Sequence, residues 1–177
     1  TAAGRIATLA VAALLAPARA QAGKAHQHGV ARLDVAVEGQ QLTLSLDTPL
    51  DNLLGFERAP RNAAERQRAQ TMTEQLRKAS ELFQTDAAAS CTAGAVELDS
   101  PVLGLGAAPA KPAAGDHADL NARFVFTCTS PDALRQIDVG LFKTFNRFKR
   151  IETQIVTPKG QARRNLTPAA ARLQMPG

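Results

Sequence analysis

The sequence predicts an α+β fold, a mainly antiparallel β-sheet with one long amphipathic helix covering a face. Three observations lead there. Apolar and polar residues alternate over residues 29–38, 41–47, 117–129 and 150–158, as half-buried strands require. Residues 60–83 instead repeat their apolar positions at helical spacing. The predicted strands follow one another across Gly and Pro turns rather than alternating with helices, which selects antiparallel pairing over a doubly wound sheet.

The first residues stand apart from this pattern. Arg5 precedes an apolar run over residues 6–16, and Pro17-Ala18-Arg19-Ala20 follows with a small-x-small ending. We read residues 1–22 as a secretory signal peptide cleaved after Ala20 or Ala22. The run is too short for a membrane span, which needs roughly 20 apolar residues. Residues 23–173 then form a single exported, periplasmic domain of a length that supports a real core.

Within that domain, residues 29–38 predict a first strand, Gly39-Gln40 a turn, and residues 41–47 a second strand with Leu42, Leu44 and Leu46 facing the core. Thr48-Pro49 ends the hairpin, and residues 50–57 form a short apolar turn or single helical turn. Pro60 opens the long helix, whose buried stripe is Ala64, Met72, Leu76, Ala79 and Phe83. A loop over 87–90 leads to a strand at 91–98, with Val96 and Leu98 inward. Residues 100–116, rich in Pro, Gly and Ala, lack any period and predict a flexible loop inside the domain. The strand at 117–129 places Leu120, Phe124, Phe126 and Cys128 on alternate positions. A turn, a short strand at 136–140 and a helical turn at 141–148 follow, the last bringing four bulky apolar residues to plug the core. Residues 150–158 resume alternation, Gly160 turns the chain, and 161–166 make an edge strand.

Composition narrows the function. The formal net charge is +5, and losing Arg5 and Arg19 leaves +3. The basic residues of the predicted helix, Arg61, Arg66, Arg68, Arg77 and Lys78, are interleaved with Glu65, Glu74 and Glu81. That is a solvated face rather than a nucleic-acid-binding stripe. There is no Trp and no Tyr, so stacking platforms for sugars or bases are poorly supplied. No GxSxG, HExxH or phosphate-binding Gly loop occurs, and the chain does not read as an enzyme. Two cysteines, Cys91 and Cys128, in an exported chain favour one disulfide. Their spacing is not that of a CxxC metal site.

The three histidines carry the remaining chemistry. His26 and His28 are separated by one residue just before the first strand, and His117 sits between Asp116 and Asp119 just before a later one. Side chains at i and i+2 on a strand share a face. Neutral imidazole suits Zn, and equally Cu or Ni, but a zinc site wants three or four ligands. If the two strand starts meet at one sheet edge, His26, His28 and His117 converge there, with Asp119 or Glu57 as further candidates. Imidazole ligation would weaken below about pH 6.5, where free histidine protonates. The bland alternative is a set of solvent-exposed histidines beside a terminus and a loop.

Five blocks in order point further. They are His26-Gln27-His28-Gly29-Val30-Ala31, then Leu50-Asp51-Asn52-Leu53-Leu54-Gly55-Phe56-Glu57-Arg58-Ala59-Pro60, then His117-Ala118-Asp119 ahead of Phe124-Val125-Phe126-Thr127-Cys128. The last two are Ile137-Asp138-Val139-Gly140-Leu141-Phe142 and Ile151-Glu152-Thr153-Gln154-Ile155-Val156-Thr157-Pro158-Lys159-Gly160-Gln161. Together they resemble the ZrgA-like family of periplasmic zinc-binding proteins. The resemblance implies a metal-binding accessory protein that assists a zinc ABC importer and its solute-binding protein. It implies His26, His28, His117 and Glu57 as ligand positions. Two departures stand out. The long loop lacks the family's His/Asp-rich tract, and Arg58 replaces a potential ligand, so it is expected to point away or to pair with Glu57 or Asp51. With those losses, a metal-free interaction module on the same fold is the competing reading.

Overall fold

The computed structural model describes residues 27–107 and 118–177. The signal-peptide segment, His26 and His117 lie outside them. Two sheets and short helices form the fold. The larger sheet has six strands: β1 (Val30–Glu38), β2 (Gln41–Pro49), β4 (Cys91–Asp99), β5 (Asp119–Cys128), β7 (Arg150–Thr157) and β8 (Gly160–Leu166). Their spatial order is β4-β5-β2-β1-β7-β8. Every neighbouring pair is antiparallel except β1 and β7, which run parallel with Val30 opposite Arg150. A smaller antiparallel sheet joins β3 (Phe83–Thr85), β6 (Gln136–Val139) and β9 (Arg172–Gln174) in the order β3-β6-β9.

The period-two pattern explains why the large sheet forms. Leu33, Val35, Leu42, Leu44, Leu46, Leu120, Phe124, Ile151 and Ile155 are all buried on one face, while Arg32, Asp34, Asp47, Arg123 and Glu152 stand at the alternate, exposed positions. Antiparallel sheets commonly leave one face in water. Phe83 of β3 and Phe124 of β5 meet edge to face with centroids 4.9 Å apart, which marks where the two sheets close over the core.

The single long helix resolves into two pieces. α2 spans Ala63–Leu76 and α3 only Ala79–Leu82. α2 starts at Asn62, whose side chain accepts from the Glu65 N–H, two residues after Pro60. It buries Ala69, Met72 and Leu76; Ala64 is exposed. The chain leaves helical geometry at Lys78, with φ −90° and ψ 62°. Phe83 is then claimed by pairing with Val139 in the small sheet, and the Gly140 N–H donates to Leu82 O at 2.7 Å. Leu82 and Phe83 are buried in succession, which one helical stripe cannot provide.

Two further helical turns match the predicted ones: α1 (Asp51–Leu54) and α4 (Leu141–Thr144). The predicted flexible loop at 100–116 is folded in its first part. Pro101–Leu103 makes a 3-10 turn, closed by the Ser100–Leu105 bridge. Ser100 is fully buried and its hydroxyl donates to Asp119 O at 2.8 Å. The rest of that loop lies outside the described residues. Among the described residues no helix is long and apolar enough to cross a membrane. Cys91 and Cys128 are disulfide-bonded as directly opposed residues of β4 and β5.

Candidate metal centre

The site is built on the turn that feeds β1. Gly29 has φ +84°, and a Cβ there would lie 2.9 Å from the Lys149 side chain, so this turn needs glycine. Two elements grip it. The Gly29 carbonyl accepts from the N–H groups of Lys149 and Arg150 at 2.7 and 3.0 Å. On the other side lies Asn52, wholly buried in α1. Its Oδ1 accepts from the Gly29 N–H at 2.6 Å, and its Nδ2 donates to Val30 O at 2.9 Å and to Thr48 Oγ1 at 3.0 Å. One amide therefore ties the end of β2 to the start of β1.

This anchoring places His28 over α1. Nδ1 stands 3.1 Å from Asp51 Oδ2, and Nε2 stands 3.9 Å from Glu57 Oε1. The imidazole is 64% exposed, whereas the Asp51 and Glu57 side chains are 11% and 13% exposed. An ion arriving from solvent thus meets the imidazole first, with carboxylates beneath it. Glu57 reaches this place because Gly55 caps α1 in the left-handed conformation, φ 81°, and turns the chain back. Asp51 is gripped by Arg147. Nη2 donates to Oδ1 and Oδ2 at 3.0 and 3.1 Å, and Nε donates to the Asp51 carbonyl at 2.7 Å.

Nitrogen and oxygen ligands on a tetrahedral zinc, at about 2.0–2.1 Å each, stand roughly 3.4 Å apart. The 3.9 Å between His28 Nε2 and Glu57 Oε1 is close to that spacing. A side-chain adjustment of about half an ångström would bring both onto one ion. The chemistry also fits: one imidazole lone pair and one carboxylate suit zinc. Among the described residues no group of three or more His, Cys, Asp and Glu side chains forms a complete ligand set.

The other predicted ligands distribute as follows. His26 and His117 lie outside the described residues. Asp119 is the first residue of β5, half-buried, opposite Pro49 in register. Next to His117, Ala118 is tied to this region, its carbonyl accepting from the Leu50 N–H at 2.9 Å. β1 and β5 both run antiparallel to β2. Both therefore begin at the same end of the sheet, two strand spacings or roughly 10 Å apart. The expected common edge for the strand starts is thus present.

Arg58 points away from the site. It does not pair with Glu57 or Asp51; it forms a fork with Glu65 at 2.7 and 2.9 Å and lies over the Phe56 ring, 4.9 Å from its centroid. The Arg58 hydrogen bond, helped by the Arg61 N–H, holds the Glu65 carboxyl down to about 2 from an ordinary 4.5. A carboxyl depressed on folding stabilises the fold above its unfolded pKa, and that contribution disappears as pH falls through the folded pKa. The advantage of the wild type over Glu65→Gln is therefore expected to shrink between about pH 4.5 and 2. Denaturant midpoints taken across that range check this, and a gap independent of pH would refute it.

Asp51, Asn52 and Arg147 were not among the predicted site residues. A signal for two of them existed: an Asp-Asn pair inside Leu50–Leu54 is polar where everything else is apolar, and buried polar groups need partners. Arg147 carried no such signal, since it lies 96 residues from Asp51.

Comparison with curated proteins finds no match to this chain. A family model, described as ZrgA family zinc uptake protein, matches residues 25–175. The match runs through the whole histidine turn, α1, both sheets and the disulfide, and it agrees with the sequence blocks that form the His28 site. The chain belongs to the ZrgA family of zinc uptake proteins.

Proposed function

We propose that the protein is a periplasmic accessory of zinc uptake, which holds Zn(II) at the His28 end of the large sheet and passes it on. The observation that supports this most directly is the His28 imidazole, with Nδ1 at Asp51 and Nε2 turned toward Glu57. His28 and Glu57 are the ligands we assign within the described residues. His26, His117 and Asp119 complete the set by their family positions and by entering the sheet at the same end. The disulfide removes Cys91 and Cys128 from the ligand set and suits an extracytoplasmic compartment. The action is equilibrium binding and hand-off without turnover. The recipient in this reading is the solute-binding protein of a zinc ABC importer.

Calorimetric titration of the tag-free exported protein with Zn(II), beside Cu(II) and Ni(II), tests the reading. A single saturating zinc site is expected, weakened at least tenfold (about 1.4 kcal/mol) in His28→Ala and in Glu57→Gln. Wild-type binding no tighter than about 0.1 mM would sink the reading and leave a metal-free interaction module in its place.

A further inference from the structure

We propose that Asp51, clamped by Arg147, is a positioning residue that keeps the His28 imidazole in the tautomer able to bind zinc through Nε2. The inference rests on the zinc reading above and assigns the group that makes it work. A neutral imidazole carries one protonated nitrogen and one lone pair. In free histidine the proton prefers Nε2, which would close the nitrogen facing Glu57. A carboxylate accepts but does not donate. Asp51 Oδ2, 3.1 Å from Nδ1, therefore draws the proton to Nδ1 and leaves the lone pair on Nε2. That lone pair faces Glu57 Oε1 at 3.9 Å. Proteins orient metal-binding imidazoles by this kind of carboxylate contact.

Arg147 makes the arrangement directional. Its Nη2 bonds both Asp51 oxygens and its Nε bonds the Asp51 carbonyl, so the carboxylate is held at its side chain and its backbone together. Half of the Arg147 side chain is in solvent, while that of Asp51 is almost wholly covered. The clamp also determines what an amide at position 51 would do. A guanidinium only donates, so the oxygen of Asp51→Asn turns to Arg147 and its NH2 group turns to His28 Nδ1. Nδ1 becomes an acceptor, the proton moves to Nε2, and the site closes with little change of shape. The same substitution in a catalytic triad disables its histidine through the wrong tautomer while leaving the geometry intact.

Long-range 1H–15N NMR of the metal-free protein at about pH 8, where a free imidazole is neutral, reads the tautomer directly. The expected result is Nδ1–H at His28 in the wild type and Nε2–H in both Asp51→Asn and Asp51→Ala. Zn(II) affinity should fall about 10–100-fold in both variants, with thermal unfolding recorded to show that they remain folded. A wild-type His28 protonated at Nε2 would overturn the proposal without any variant. So would an Asp51→Asn protein that keeps Nδ1–H, or one whose zinc affinity stays within about twofold. A wild type that shows the Nδ1–H tautomer and binds no zinc would retain the positioning role and reject the zinc reading, so the two failures are distinguishable.

Discussion

Replacing Asn52 with leucine is expected to destabilise the fold by about 3 kcal/mol and to weaken zinc binding with it. The volume change is small, so the cost lies in the hydrogen bonds. Asn52 makes three, to Gly29 N–H, Val30 O and Thr48 Oγ1, and it is wholly buried. Leucine satisfies none of them. Each buried group left without its partner costs about 1–3 kcal/mol. The Val30 and Thr48 groups have other contacts within their strands, which keeps the total near the lower end of the sum. The local effect is as important. Without Asn52, the His28 turn is held only from the β7 side, through Lys149 and Arg150, and the imidazole loses its register over Asp51. Urea unfolding and a zinc titration of Asn52→Leu check both parts. Stability within about 0.5 kcal/mol of wild type would place the substitution among ordinary surface changes and show that the β7 grip suffices.

Removing the disulfide is expected to have an effect of similar size at the opposite end of the sheet. Cys91 and Cys128 face one another across β4 and β5 and are 37 residues apart in sequence. A cross-link closing a loop of that length restricts the unfolded chain enough to stabilise the fold by about 3–4 kcal/mol. The site of the bond adds a native-state reason. β4 is an edge strand, and its pairing with β5 shifts register between Ala93 and Val96. The covalent link fastens β4 beyond that irregularity, where the ladder is weakest. The Cys91→Ala/Cys128→Ala variant should therefore unfold at lower urea, with its zinc affinity within about twofold of wild type, because Cys128 ends β5 whereas the candidate site lies where β5 begins. A loss below about 1 kcal/mol would mean that the 85–128 segment stays compact when unfolded. A large loss of zinc affinity in the folded variant would mean that the two ends of the sheet are coupled.

What could be read from the sequence was whatever has a short period. β1, β2, β5 and β7 alternate over seven residues or more, and one buried face is enough to specify them. The turns at α1 and α4 were marked by apolar clusters, and the disulfide by cysteine count and compartment. β3 and β9, with three residues each, are too short to carry a period. The break between α2 and α3 was hidden because Ala79 continues the helical spacing, while the competing claim on Phe83 comes from Val139, more than fifty residues away. The parallel pairing of β1 with β7 is likewise a contact between distant segments. The site divides in the same way. His28 and Glu57 could be named from residue type and from the family's blocks. That Asp51 stands at Nδ1, Glu57 near Nε2 and Arg147 behind Asp51 was decided only by the tertiary structure. A side chain's chemistry is local, but the proton it carries and the direction it faces depend on partners that only folding brings within 3–4 Å.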